Sequence, residues 1–393
     1  MARPHVLLVG LGGYATGFGR VLHELIRELG ATFTVDHLAI DEAEAADWLA
    51  PRALSERVDR DRPHVVLMVH EPWAWRFWRP ALERCDHRPK WLFYAAIDRH
   101  QAIDAKLATE LGHLDALIVY NQFGQDAAAS SASVALPPVH RIPHGVDVET
   151  FRPLAVAEDG TPDRQASRLC ARRDLFPRLF PDHGDTLDDA FVILNANRNQ
   201  PNKRIDLTCE AFAGVLTRLE PDEPRPWLYL HMSSRRRRDD EAALVDRLGI
   251  RDRVLATTRG EHHPELDDDD LCRLYNACDV GLNTSEGEGW GLIAFEHGAV
   301  GAPQVLPRHS ACAELWEGHA RLVDTATEDT LEGYRRRGQT VDVDVVAEAL
   351  LELYRDRSLR DRLGHLAFTN AHRPEYRWRH IADRWRRLIE SIL

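Results

Sequence analysis

The run Ser285-Glu286-Gly287-Glu288-Gly289-Trp290-Gly291-Leu292-Ile293-Ala294-Phe295-Glu296 sets two carboxylates, Glu288 and Glu296, eight positions apart in a glycine-rich loop that opens a helix. Glycines bare backbone N–H groups where the helix begins, and carboxylates accept paired hydroxyl hydrogens, a chemistry suited to a sugar and a ribose. Helix capping with a surface glutamate is the competing reading. Upstream, Asn195-Ala196-Asn197-Arg198-Asn199-Gln200-Pro201-Asn202-Lys203-Arg204 sets Arg198 and Lys203 five apart in a polar loop. Two such cations at the mouth of a parallel sheet can converge on a diphosphate, where a bland reading sees a solvated loop. Gly10-Leu11-Gly12-Gly13-Tyr14-Ala15 follows an apolar run and fits G-x-G-x-x-A, the turn that lets a backbone approach a pyrophosphate. Asp36, at the end of the second strand, could then take a ribose hydroxyl. The continuation Thr16-Gly17-Phe18-Gly19-Arg20 prolongs the glycine-rich loop and suits a loop over a phosphate or sugar better than an NAD turn. A plain tight turn is the alternative.

His70-Glu71-Pro72-Trp73-Ala74-Trp75 ends another apolar run. Tryptophans stack on sugar faces, so His70, Glu71, Trp73 and Trp75 are candidates for an acceptor wall, against a reading as core packing. Arg235-Arg236-Arg237-Arg238 reads as a solvated helix start, or as a contact for a phosphorylated, lipid-linked or nucleic-acid acceptor. His262-His263 and the acidic run Asp267–Asp270 fit no standard metal spacing, so no metal is assigned.

These loops need elements to hold them. Val6–Val9, Phe33–Ile40, Val65–Val69, Trp91–Ile97 and Ala116–Tyr120 are strand-like in the first half. Phe191–Leu194, Trp227–His231, Val254–Thr257, Val280–Leu282 and Pro303–Leu306 repeat the style in the second. Helical patterns separate them near Gly17–Leu29, Arg204–Leu219, Glu241–Leu248, Asp268–Cys278 and Ile293–Gly298. Apolar strands alternating with helices predict an α/β fold with parallel sheets covered on both faces. We read residues 1–150 as one α/β domain, 151–189 as a linker with a charged insertion, and 190–373 as a second α/β domain. Residues 374–393 form an amphipathic helix with Trp378, Ile381, Trp385, Leu388 and Ile389 on its apolar side.

At 393 residues with a net charge of −13, the chain has room for two domains and lacks the overall positive charge of a nucleic-acid binder. No apolar stretch reaches the roughly 20 residues of a membrane span, which leaves peripheral membrane contact open. Met1-Ala2-Arg3-Pro4-His5 lacks a signal-peptide pattern, and six scattered cysteines with no CxxC pair read as reduced thiols. Both point to a cytoplasmic protein. Among only three lysines, Lys90, Lys106 and Lys203, the last falls in a candidate site.

Glu288 and Glu296 resemble the E-x7-E pattern of retaining GT-B glycosyltransferases of family 4. Arg198 and Lys203 resemble that family's R-x4-K pair, Gly12–Arg20 its N-terminal glycine-rich loop, and His144-Gly145-Val146-Asp147-Val148-Glu149-Thr150-Phe151 its linker motif. The resemblance implies two Rossmann-like domains facing a cleft, with the C-terminal helix crossing back to the first. It implies a nucleotide-sugar donor and a sugar, lipid-linked or small-molecule acceptor, with no metal or other cofactor. By that likeness Arg198 and Lys203 neutralise the diphosphate and Glu296 holds ribose hydroxyls. Glu288, with the backbone of Gly289, Trp290, Gly291 and Leu292, holds the sugar, while Gly12 and Gly13 let the first domain approach the phosphates. Many relatives carry a histidine after the fourth strand; here Asp98 occupies that place, with His100 as a second candidate. Two other readings remain at this stage: an NAD-dependent oxidoreductase built on Gly10–Ala15, and a catalytically idle sugar-nucleotide-binding protein.

Overall fold

The computed structural model describes all residues except 1–2, 14–15, 41–48, 100–101, 131–134, 233–237, 258–265 and 331–335. The chain divides into two units, Met1–Gly145 with Pro374–Leu393, and Val146–Arg373.

The first unit holds β1 (His5–Leu11), β2 (Thr34–Ile40), β3 (Val65–His70), β4 (Lys90–Ala95), β5 (Ala116–Val119) and β6 (Val139–Arg141), all parallel, in the order β2-β1-β3-β4-β5-β6. Helices between parallel strands cover both faces, and so the runs Val6–Val9 and Val65–Val69 are fully buried. The strand order reverses between β1 and β3, which puts the loops after both strands at the crevice where open α/β sheets take ligands. The C-terminal helix Trp378–Ile392 belongs to this unit. Its buried residues are the five read from the sequence: Trp378, Ile381, Trp385, Leu388 and Ile389. Trp385 packs edge-on against Tyr94 at 4.9 Å between ring centres, and the Tyr94 hydroxyl lies 2.8 Å from His144 Nδ1. A Cβ on Gly145 would fall 2.4 Å from the Trp378 ring, so only glycine fits where the chain leaves this unit.

The second unit holds β7 (Val192–Asn195), β8 (Trp227–Leu230), β9 (Val254–Ala256), β10 (Val280–Leu282), β11 (Gln304–Pro307) and β12 (Arg321–Val323), again parallel, in the order β12-β11-β10-β7-β8-β9. Here the reversal lies between β7 and β10. An antiparallel hairpin of β13 (Thr325–Thr330) and β14 (Arg336–Val341) follows. The three-residue edge strands β6 and β12 are too short to show a pattern in the sequence.

The stretch 151–189 departs from its reading as a linker. Arg164–Leu179 is a 16-residue helix of the second unit, packed on the helix Asp268–Ala277. Its charges turn inward. Arg172 is fully buried, donates to Asp279 Oδ2 at 2.7 Å, and donates to the carbonyls of Ala277, Leu187, Asp188 and Ala190 at 2.6–3.1 Å. Arg168 pairs with the other Asp279 oxygen, and the Val192 N–H donates to Asp279 at 2.8 Å. Composition alone reads such a segment as solvated, whereas the fold uses it to tie together the amino ends of β7 and β10.

Candidate active site

The two strongest sequence signals meet at the reversal of the second sheet. Arg198 and Lys203 lie in the loop after β7, and Glu288 lies in the loop after β10, its neighbour. Lys203 Nζ donates to Glu288 Oε1. Asn283 Nδ2 and Ser285 Oγ reach the same oxygen at 3.1 and 3.4 Å, and among the described residues none donates to Oε2. The two loops are stitched below this pair. Glu286 N donates to Asn202 O at 2.9 Å, and Arg204 donates to Glu286 at 3.3 Å. Thr284 Oγ1 lies 2.8 Å from Arg204 O and 2.7 Å from Thr208 Oγ1, which in turn accepts from Asn195 at 2.8 Å.

Glu288 is buried. Burial alone would raise its carboxyl, but the Lys203 ammonium beside it and the Asn283 amide outweigh that and hold it below the usual carboxylate range. The site therefore presents Glu288 as a carboxylate at neutral pH. Gly291 follows at φ +87°, a left-handed turn that opens the helix Leu292–Ala299 with no side-chain cap. The first N–H groups of a helix lack intrahelical partners, so this terminus can receive an anion. Trp290 is buried and stacks on Phe295 at 5.1 Å, which leaves its backbone as the part a ligand could meet. Gly289 and Leu292 are half-buried beside it. Glu296 is buried in that helix and accepts from the Tyr275 hydroxyl at 2.9 Å. Arg198 is half-buried in its loop.

Sequence reading missed three groups here. His309 and Ser310 follow β11, and Asn283 follows β10. Ser310 Oγ accepts from Glu288 N at 3.0 Å, and His309 Nδ1 and Nε2 lie 2.8 and 2.7 Å from Ser310 Oγ and Ser285 O. Their signal is a polar residue within three positions of the end of an apolar strand, the region from which loops of a parallel sheet reach ligands.

In the first unit, Gly12 and Gly13 follow β1, while His70 ends β3 and Glu71 and Trp73 follow it, again at the strand-order reversal. Gly12 donates to Ile40 O at 3.0 Å and Gly13 is exposed. Phe18, from the glycine-rich loop's helix, stacks on buried His70 at 5.3 Å. The Trp73 indole donates to Glu71 Oε2 at 2.5 Å, and both residues are half-buried. Trp75 is different and leaves the acceptor wall. It is fully buried, donates to Glu110 O at 2.7 Å, and packs edge-on against Trp91 and Phe93. The 3₁₀ turn Pro72–Ala74 runs into a helix at Trp75, which carries this ring to the core side. Asp98 is half-buried after β4, with Arg99 Nε 3.9 Å away. His100, Tyr14, Ala15, His262, His263 and Arg235–Arg237 lie outside the described residues.

Asp36 also moves. It is the third residue of β2, opposite Leu7 of β1, not at the strand's end. It pairs with His5 Nε2 at 2.9 Å. At about 3.3 Å per residue, four further residues of β2 separate it from the ligand end of the sheet by more than ~10 Å, too far for a ribose held over Gly12.

Known proteins place the fold. Sucrose-phosphate synthase from Thermosynechococcus elongatus matches with a TM-score of 0.73 over 99% of both chains at 17% identity. Anabaena HepE, solved with UDP and glucose, matches with a TM-score of 0.69 over 99% of this chain and all of that one at 15% identity. The fold is that of the GT-B glycosyltransferases. In sequence, the chain is 32% identical to D-inositol 3-phosphate glycosyltransferase of Xylanimonas cellulosilytica over 192 residues, 49% of this chain and 40% of that protein. It is 32% identical to the namesake of Stackebrandtia nassauensis over 247 residues, 61% and 46% of the two chains. The matched stretch thus spans less than half the length of these curated relatives. No protein-family model matches the chain.

Proposed function

We propose that the chain transfers a sugar from a nucleoside-diphosphate sugar to a hydroxyl acceptor, with retention of configuration and without a metal ion. The observation that carries this reading is the meeting of Lys203 and Glu288 from adjacent loops at the β7/β10 reversal. The likeness to glycosyltransferases in fold and sequence supports it. In this reading Lys203 and Arg198, with the uncapped terminus at Gly291, take the diphosphate. Glu288 Oε2 accepts a sugar hydroxyl while Oε1 stays tied to its three donors. Glu296, oriented by Tyr275, takes ribose hydroxyls. Charge builds on the leaving diphosphate as the glycosidic bond breaks, and fixed cations there stabilise the transition state most. Glu71 and Trp73 line the acceptor side. All six cysteines are free and five are buried, which fits a reducing compartment such as the cytoplasm.

A nucleoside diphosphate should stabilise the protein and NAD should not. At 100 times its dissociation constant, a ligand of the native state adds about 2.7 kcal/mol. A melting scan with UDP, GDP, ADP and NAD checks this, and stabilisation by NAD alone would overturn the assignment. Asp36 at mid-strand already argues against the dinucleotide. Sugar release from the stabilising nucleotide-sugar distinguishes an enzyme from a binding protein.

Turnover should persist in EDTA, because Lys203 and Arg198 supply the positive charge that a metal would otherwise bring. Loss in EDTA with recovery on adding magnesium or manganese would refute the metal-free mechanism. Asp98→Asn should lower turnover while nucleotide affinity stays near wild type, since Asp98 belongs to the first unit and the cationic pair to the second. Equal loss of both, measured by steady-state rates and calorimetry, would count against that role.

A further inference from the structure

We propose that His309 and Ser310 are positioning residues for Glu288, clamping the loop Ser285–Glu288 at both ends through a hydrogen-bond chain of fixed direction. The proposal deepens the reading above and rests on Glu288 holding the donor sugar.

The direction follows from what each group can donate. Ser285 O is a carbonyl and only accepts, so the His309 Nε2 lying 2.7 Å from it carries the hydrogen. A neutral imidazole has one N–H, which leaves Nδ1 an acceptor for the Ser310 hydroxyl at 2.8 Å. Burial pushes the His309 imidazole below its ordinary value, which keeps it in this neutral form. The Ser310 oxygen in turn accepts the Glu288 N–H at 3.0 Å. Ala311 N donates to Glu288 O at 3.2 Å, so the Glu288 backbone is held at both its polar groups from the segment after β11. One imidazole and one hydroxyl thereby fix the start and the end of the loop that aims the carboxylate.

Ser310 sits at φ +43°, in the left-handed region that favours glycine. The hydroxyl makes no cap for its own helix, Ser310–Trp316, where His309 is the N-cap residue without a side-chain cap bond. Its bonds go to the Glu288 loop and to His309, which accounts for a side chain at a position where glycine would be less strained.

The test compares Ser310→Ala, Ser310→Gly, His309→Leu and His309→Gln with the wild type. Readouts are kcat, donor KM and hydrogen exchange of the 285–288 amides. Ser310→Ala and Ser310→Gly should each lower kcat about tenfold with KM changed by no more than about twofold, and should speed exchange at Glu288 about tenfold, as expected for one lost hydrogen bond. The glycine variant relieves the backbone, so it separates loss of the hydroxyl from strain. His309→Leu should match them, whereas His309→Gln, whose amide can donate to Ser285 O and accept from Ser310, should stay within about threefold of wild type. Wild-type kcat and exchange in Ser310→Gly would overturn the clamp. If the wild type turns over no nucleotide-sugar, the donor assignment fails, and the exchange readout alone still decides whether the clamp exists.

Discussion

Lys203→Ala should lower turnover roughly 100- to 1000-fold, the scale of removing one fixed donor from a developing anion. A compact ammonium meets a phosphate oxygen as a point charge, and its contact strengthens as leaving-group charge grows. From the loop's polarity alone, Lys203 reads as an exposed charge whose loss changes stability by only about 0.5 kcal/mol. The structure revises that figure. The Lys203 and Glu288 side chains are 14% and 10% exposed, so truncating the lysine strands a buried carboxylate. Such a break costs about 3–5 kcal/mol, and the low end applies here because Asn283 and Ser285 still donate to Oε1. Fold and chemistry are separable with the double variant Lys203→Ala, Glu288→Gln, which removes both charges. It should regain most of the lost stability and none of the turnover. Near-normal turnover in Lys203→Ala would sink the diphosphate role. Recovery of turnover in the double variant would mean that Lys203 acts only by holding Glu288.

Asp279→Ala should destabilise the protein by about 3–5 kcal/mol, measured by denaturant unfolding near neutral pH. The substitution leaves Arg172 fully buried without its carboxylate and strips the partners from Arg168 and the Val192 N–H. The same pair predicts an acid limb. Burial would raise the Asp279 carboxyl, but the Arg172 and Arg168 guanidiniums outweigh it and hold it below its ordinary value. A carboxyl depressed in the folded state contributes stability above its unfolded value of about 3.9 and loses it as pH falls through the folded value. Wild-type stability should therefore fall on acidification more steeply than that of Asp279→Ala. Parallel acid limbs, or a change under about 1 kcal/mol at neutral pH, would show that the buried pair is not what secures the helix Arg164–Leu179.

Periodicity and loop chemistry are local properties, and the amino-acid order alone carries them. The runs Val6–Val9 and Val65–Val69 announce buried parallel strands, and the spacing of Trp378, Ile381, Trp385, Leu388 and Ile389 announces the face that the last helix buries. Lys203 and Glu288 are legible as candidates because polar and glycine-rich loops directly follow apolar strands. What a side chain faces depends on strand order and register, which join residues far apart in the chain. Nothing local distinguishes Trp73 from Trp75, yet one is half-buried beside Glu71 and the other lies in the core against Trp91 and Phe93. Asp36 reads as a strand-end acid until its register opposite Leu7 places it mid-strand. Arg172 sits in a segment whose charge signals solvent, and only the approach of β7 and β10 supplies the carboxylate and carbonyls that make its burial affordable. His309 and Ser310 reach Glu288 because β11 pairs with β10, a parallel neighbour set by long-range packing that no local spacing in the chain encodes.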